Sequence, residues 1–315
     1  MPSSKHLQTL KKGKSTSDAP ELRAMAGGHR FVRKHVPNVI PLVAPREVWL
    51  HRIASRAQAA ANAPFTTGII RTRVAWGRTA IDMDYLEGEP TKVIEHPREV
   101  ADLMLAIERS SRRVLQRPSN RLALPALRFD RYGAARRRYD LRVLADALGP
   151  LIDLDEIRPG LEADLRDLGC GYDEFDRGSK VAECVLSHLD PYDANFMRID
   201  GRLRVIDWGE AYLGRVGFDA GSYLMRLLRI RSETQTLDHA HIVLGPYRDE
   251  DWPTPSDIRC LPDAINRIFV PRSLWYWLWP KTVERFRRED RMSDLRHRLA
   301  FLIECGRSPP WRAYL

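Results

Sequence analysis

Leu186-Ser187-His188-Leu189-Asp190-Pro191-Tyr192-Asp193-Ala194-Asn195 runs directly into Phe196-Met197-Arg198-Ile199-Asp200-Gly201-Arg202-Leu203-Arg204-Val205-Ile206-Asp207-Trp208, and this stretch decides the reading of the chain. The apolar run Cys184-Val185-Leu186 ends in a polar cluster holding His188, Asp190, Asp193 and Asn195, the pattern of a site at the end of a strand. Asp200-Gly201 is a favoured type I′ turn pair, so 196–199 and 203–206 are expected to fold back as a hairpin. A two-residue turn pairs 199 with 202 and sets 195 opposite 206, which carries Asn195 and Asp207 to the open end together. An amide oxygen and a carboxylate there, just past a second carboxylate, are hard oxygen donors suited to Mg2+ bound to a nucleotide. Asp193 reads as a loop residue and Asp200 as a turn former.

His188-x-Asp190-x-x-x-x-Asn195, followed by Ile206-Asp207-Trp208, resembles the catalytic loop and metal-binding motif of the aminoglycoside phosphotransferase and choline kinase family, which shares the protein-kinase-like fold. Gly214 through Asp219-Ala220 resembles that family's tail motif, a glycine, a short spacer and an Asp opening a helix. The close match covers residues 181–228 and the remainder resembles the family loosely. Leu189 departs from it, since these kinases usually have glycine there. The resemblance implies an α+β, bilobal fold. Residues 1–88 would form a small antiparallel-sheet N-lobe with one main helix, ending in the hinge. Residues 89–315 would form a larger, mainly helical C-lobe with the catalytic loop, metal site and acceptor site. It further implies ATP or GTP with Mg2+ as cofactors, and transfer of the γ-phosphate to a hydroxyl of a small molecule. Aminoglycosides or other antibiotics, amino alcohols and sugars are the acceptor classes. By the same resemblance Asp190 is the catalytic base, His188 holds the catalytic loop, and Asn195 and Asp207 hold Mg2+. Asp219 supports the loop by accepting backbone hydrogen bonds, although as a residue opening a helix it also reads as a plain N-cap.

The 315 residues suffice for two lobes, and 43% apolar with 30% charged side chains is ordinary for a globular protein. The N-terminus has no apolar signal segment and the aromatic-rich run 274–279 is far short of the ~20 residues that span a bilayer. A cytoplasmic protein without a membrane partner is expected. Cys170, Cys184, Cys260 and Cys305 are scattered, so neither a zinc site nor a disulfide framework is indicated. The net charge of +9 is uneven: residues 1–81 hold 14 Lys or Arg against Asp18, Glu21 and Glu47. A basic N-lobe concentrates an anion such as ATP; it is also what a nucleic-acid surface looks like, but no zinc-finger or RNP signature accompanies it, so nucleic acid is the less favoured partner.

Lys11-Lys12-Gly13-Lys14-Ser15-Thr16 ends like a Walker A loop, but Gln8 stands where its first glycine belongs. It reads either as a poor glycine turn over phosphates or as a solvated basic tail. After the turn at Gly27-Gly28, residues 30–36 read as a strand with Val32, Lys34 and Val36 on one face. Lys34 fits the family's phosphate-neutralising strand lysine, the alternative being an edge lysine that snorkels to water. A helix with Pro45 at its first position is expected to run to about Ala61. Its Glu47 is the only acidic residue between Glu21 and Asp82, so it is the local partner for Lys34 as in the family's ion pair, and it also suits a helix N-terminus. Strands at 68–76 and 79–85 lead into Asp84-Tyr85-Leu86-Glu87-Gly88, the expected hinge, where the Asp84 C=O and Leu86 N–H would meet the adenine edge.

Residues 97–116 read as an amphipathic helix. The basic stretch with Arg128, Arg131, Arg136, Arg137, Arg138 and Arg142 reads as a solvated helix face, and residues 151–176 carry nine carboxylates against Arg158 and Arg166. In related enzymes the helices before the catalytic loop help bind the acceptor, so Asp153, Asp155 and Glu156 are candidates for holding a cationic one. Helix from Asp219 to Arg231, an acidic loop at 249–257 and a helical C-terminal part with packed Trp275, Trp277 and Trp279 complete the reading. Between Asp207 and Asp219 there is no room for a protein-kinase activation segment, which favours a small-molecule acceptor. A non-catalytic nucleotide-binding protein of the same fold is the alternative.

Overall fold

A computed structural model describes residues 20–24, 30–117, 127–129, 139–178, 183–250 and 255–315. The turns expected at Gly13 and Gly27-Gly28, and Arg131 and Arg136 to Arg138, lie outside the described residues. Strands β1 (Glu21–Ala24), β2 (Arg30–Pro37), β3 (Ile69–Val74) and β4 (Arg78–Asp84) form an antiparallel sheet in the order β1-β2-β4-β3. Strand β3 is shorter than the expected 68–76 and β4 begins one residue before the expected 79, because the turn closes early, with the Ala75 N–H bonding the Arg78 carbonyl. Asp82 is buried in this sheet between Arg33 at 2.6 Å and Arg71 at 2.9 Å. Those guanidiniums, Arg33 first, hold its pKa down to about 2.

Helix α1 (Arg46–Ala61) buries Val48, Leu50, Ile53, Ala54 and Ala57. Pro45 is not its first residue, as expected, but its N-cap, at φ −63° and ψ 157°, so the chain enters in extended geometry and Glu47 falls in the first turn. After β4 the chain crosses at Gly88, where a Cβ would come within 2.6 Å of the Arg198 carbonyl, so only glycine fits.

The larger part is mostly helical: α2 (Pro97–Leu115), α3 (Leu141–Leu148), α4 (Leu154–Ile157), α5 (Leu161–Arg177), α6 (Phe218–Leu228), α7 (Glu233–Arg248), α8 (Pro255–Trp277), α9 (Pro280–Arg288) and α10 (Met292–Arg307). Set among them are β5 (Glu89–Pro90), β7 (Phe196–Ile199) and β8 (Arg202–Val205) as one sheet, and β6 (Val185–Ser187) with β9 (Tyr212–Gly214) as another. One core runs from Leu50 and Ile53 of α1 through Val100, Met104 and Ile107 of α2 to Leu224 of α6 and Leu299 of α10. No helix among the described residues is long and apolar enough to cross a membrane.

Three expectations change. Arg128 is buried and so is not part of a solvated face, while Arg142, its side chain 37% exposed, pairs with Asp140 and Asp173. In the acidic segment, Glu156, Glu162, Asp164, Asp173 and Asp176 all pair with arginines, and Asp153 caps α4 through the Asp155 and Glu156 N–H groups. Trp277 is buried, but Trp279 is 51% exposed as the N-cap of α9.

Candidate active site

The Asp200-Gly201 turn has positive φ at both residues, 50° and 74°, as a type I′ turn requires. It pairs Ile199 with Arg202, as expected, and Phe196 with Val205; only the bounds of the second strand differ, 202–205 in place of 203–206. Past the ladder the Ile206 N–H donates to the Asn195 carbonyl at 2.8 Å, which brings residue 195 opposite 206. The Asn195 side chain is fully buried and its Nδ2 donates to Asp190 Oδ2 at 2.6 Å and to the Asp190 carbonyl at 3.0 Å. Asp190 is thereby held by its own loop, with its side chain 17% exposed. Asp193 instead accepts from the Val93 N–H, a supporting contact.

His188 ties the loop to the end of the hairpin. Its Nε2–H donates to the carbonyls of Asp207 at 2.8 Å and Ile206 at 3.1 Å, and its ring stands edge-on to Trp208, 5.1 Å between centroids. Both acceptors are carbonyls, so Nε2 carries the proton. Trp208 is fixed in turn by donating to Thr66 Oγ1 at 2.9 Å.

Leu189, where glycine is usual, adopts φ 61°. A left-handed leucine is strained by about 1–2 kcal/mol, and the surroundings hold it there. Asp219 Oδ1 accepts from the Leu189 N–H at 2.7 Å and Oδ2 from the His188 N–H at 3.0 Å, while Ser222 Oγ donates to the Leu189 carbonyl. The leucine side chain is fully buried with Phe129, Tyr139, Tyr212, Phe218 and Ile268. Asp219 is not the N-cap of α6; Gly217 is, at φ 92°. Behind it the wholly buried Glu108 of α2 accepts from the Gly217 N–H. Burial and the negative charge of Asp219 push the Glu108 carboxyl well up, and burial pushes Asp219 up as well, against the two backbone N–H groups it accepts from.

Lys34 of β2 sends Nζ to Glu47 Oε1 at 2.6 Å and to Asp207 Oδ1 at 3.0 Å. Burial disfavours the ammonium, but the two carboxylates outweigh it and raise its pKa. Sheet, α1 and hairpin thus meet at one buried cation. Asp207 has φ 66°, which turns its carboxylate back so that Oδ1 also accepts from the Gly209 N–H at 3.2 Å; its side chain is 36% exposed. No cluster of three His, Cys, Asp or Glu groups suited to a metal occurs among the described residues. The Asp207 carboxylate and the Asn195 amide oxygen are the few-donor set that Mg2+ takes when phosphates and water complete its shell, so these residues fit the ion.

At the expected hinge Asp84 closes β4 and its N–H bonds the Gly68 carbonyl at 3.0 Å. Leu86 lies in the irregular stretch between β4 and β5. Sequence reasoning assigned no chemistry to the C-terminal helices, yet α8 delivers Arg272, whose Nη1 donates to Ser222 Oγ at 2.6 Å and to the Leu189 carbonyl, and whose Nη2 lies 3.9 Å from Asp190 Oδ1. Nothing local marks Arg272. Glu108 was detectable, since it falls with Met104, Ser111 and Leu115 on the buried stripe of α2.

No protein-family model matches the chain, and no curated protein matches it either. Among solved structures it is similar to amicoumacin kinase hAmiN in complex with AMP-PNP, Ca2+ and Ami, at 12% identity and TM-score 0.59 over 96% of this chain and 91% of that one. It is also similar to a choline/ethanolamine kinase family protein from Mesorhizobium loti, at 13% identity and TM-score 0.51 over 93% of this chain and 90% of that one. The chain therefore has the protein-kinase-like fold, with a small antiparallel-sheet lobe and a larger helical lobe, that small-molecule kinases of the aminoglycoside phosphotransferase and choline kinase family share.

Proposed function

We propose that the protein is a small-molecule kinase of that family, moving the γ-phosphate of ATP or GTP to a hydroxyl group. One observation carries the reading: Lys34, Glu47 and Asp207, distant in sequence, converge on one buried cation, and His188 joins Asp207 to the loop bearing Asp190. Residues 1–88 act as the nucleotide lobe, with the backbone of Asp84 and Leu86 facing the base, and residues 89–315 supply the loop and the acceptor side. Lys34, oriented by Glu47, takes up phosphate charge. Asn195 and Asp207 would hold Mg2+, which when bound neutralises phosphate charge. Phosphoryl transfer asks chiefly for positioning and charge stabilisation, and these groups offer both.

Asp190 accepts the proton of the attacking hydroxyl at Oδ1, while Oδ2 stays bonded to the Asn195 amide. His188 acts through the loop it ties down rather than on the proton. Leu189 is no argument for an inactive relative, because its backbone holds the left-handed conformation that glycine adopts readily. Calorimetric titration with Mg-AMP-PNP tests the assignment. Asp207→Ala should lose nucleotide affinity and Asp190→Ala should keep it. Wild-type protein that fails to bind Mg-AMP-PNP, or equal affinity in all three proteins, would sink it.

A further inference from the structure

Three arginines stand around the loop that presents Asp190, by Asp190, Asp193 and Tyr192, and their partners differ. Arg272 lies 3.9 Å from Asp190 Oδ1, and Glu210 adds negative charge near it. Arg226 lies 3.8 Å from Asp193 Oδ2. Arg229, just past the end of α6, has no carboxylate partner among the described residues. Its guanidinium stacks 4.1 Å from the Tyr276 ring centroid and donates to the Tyr192 hydroxyl, and its buried Nε has no hydrogen-bond partner. Burial pushes its pKa down, Tyr192 opposes this, and the charge of Arg272 adds to the fall.

A half-buried guanidinium with no counter-charge is costly, and an anion placed against it removes the cost. The place is close to the chemistry. The Tyr192 N–H donates to the Asp190 carbonyl at 2.8 Å, so the ring that Arg229 touches belongs to the turn presenting the catalytic carboxylate. Arg226 also stacks on that ring, at 4.6 Å. The side chains of Arg272 and Arg226 are mostly buried, 15% and 20% exposed. In the acidic segment expected to attract a cation, Glu156 and four further carboxylates pair with the chain's own arginines, while Asp153 and Asp155 stay exposed.

Resting on the kinase reading, we propose that the acceptor is an anion, a hydroxyl compound bearing a carboxylate or a phosphate, whose charge is bound by Arg229 and Arg272 so that its hydroxyl meets Asp190. Tyr192 and Tyr276 supply apolar faces for its body. Arg229 is a specificity residue here, separate from the nucleotide side.

The test compares wild type with Arg229→Gln, with the charge-keeping Arg229→Lys, and with Arg231→Gln, which removes an exposed neighbouring charge. Each full-length protein is titrated with D-glycerate, 4-hydroxybenzoate, sn-glycerol 3-phosphate, glycerol, choline and kanamycin. Tryptophan fluorescence reads binding and ADP release from Mg-ATP reads turnover. The expected result is that an anion binds and is phosphorylated, with KM about 30-fold higher in Arg229→Gln, the worth of one charge-assisted hydrogen bond. Arg229→Lys should lose less, Arg231→Gln nothing, and kcat and the KM for ATP should hold. A response to carboxylates alone or to the phosphate alone names the source of the charge. Should Arg229→Gln not fold, the partial loss in Arg229→Lys decides. Turnover confined to glycerol, choline or kanamycin, no binding of any anion, or anion binding unchanged in the folded Arg229 variants overturns the proposal and leaves the kinase reading intact. Loss of Mg-AMP-PNP binding in wild type overturns the kinase reading instead, and an Arg229-dependent anion affinity would still be measurable by fluorescence.

Discussion

Replacing Leu189 sets two opposing effects against each other at one residue. Its backbone is left-handed at φ 61°, so glycine would relieve about 1–2 kcal/mol of strain. Its side chain is fully buried among Phe129, Tyr139, Tyr212 and Phe218, and truncating such a leucine costs about 3–5 kcal/mol. Burial wins, so Leu189→Gly should be less stable than wild type by about 1–4 kcal/mol once the relief is subtracted. Leu189→Ala loses nearly the same contacts, keeps a Cβ at positive φ, and should fall about 1 kcal/mol lower still. For 315 residues an unfolding entropy of about 0.7 kcal/mol/K turns a 3 kcal/mol loss into a Tm drop near 4–5 °C. Urea and thermal melts of the three proteins read the order wild type, then Gly, then Ala. A glycine variant as stable as wild type would show that strain outweighs packing, and an alanine variant above glycine would show that the positive φ carries no cost. Because Asp219, Ser222 and Arg272 grip the backbone of Leu189, turnover of the glycine variant should stay within a few-fold of wild type.

Asp219→Asn turns an amide NH2 toward one of the two backbone N–H groups now accepted by the carboxylate, at a cost of about 2–3 kcal/mol, and kcat should fall by about 10- to 100-fold; unchanged kcat would show that the loop holds its shape without this support. Burial lowers the pKa of His51 to about 4, whereas in the unfolded chain it titrates near 6.5. Folded pKa below unfolded pKa means full stability above pH 6.5 and a progressive loss, up to about 3 kcal/mol, as pH falls from 6.5 to 4. His51→Gln should flatten that part of the stability profile, read by urea midpoints across the pH range, and an equally steep profile would assign the slope to other groups.

Wherever local chemistry is decisive, the order of residues alone makes it legible. Asp200-Gly201 specifies its turn because few other pairs take positive φ twice, and the turn then dictates which residues face each other, bringing 195 opposite 206. Lys34 and Glu47 announce each other through scarcity, an apolar-face lysine and the one acidic residue within reach. What the chain hides is tertiary. Leucine carries no mark of positive φ, so the conformation of Leu189 depends on Asp219, thirty residues away. The carboxylates of 151–176 look like a free acidic face until Arg267, Arg287 and Arg307, remote in sequence, fold onto them. Arg272 and Arg229 are two arginines among many, distinguished only by what α6 and α8 place beside them. Trp279 misleads because aromatic character signals burial only when the helix turns that face inward, and the chain breaks between α8 and α9 at that point.

The central claim is that Asp190 serves an acceptor hydroxyl while Lys34, Asn195 and Asp207 serve the nucleotide. Acceptor-dependent ADP release from Mg-ATP, measured for wild type and Asp190→Ala across the anionic, neutral and cationic hydroxyl compounds, tests it most directly. The account predicts release that requires an acceptor and falls by about 10²- to 10⁴-fold in the variant, with the KM for ATP unchanged. Wild-type turnover retained by Asp190→Ala, or no acceptor-dependent release by the wild type, would contradict it.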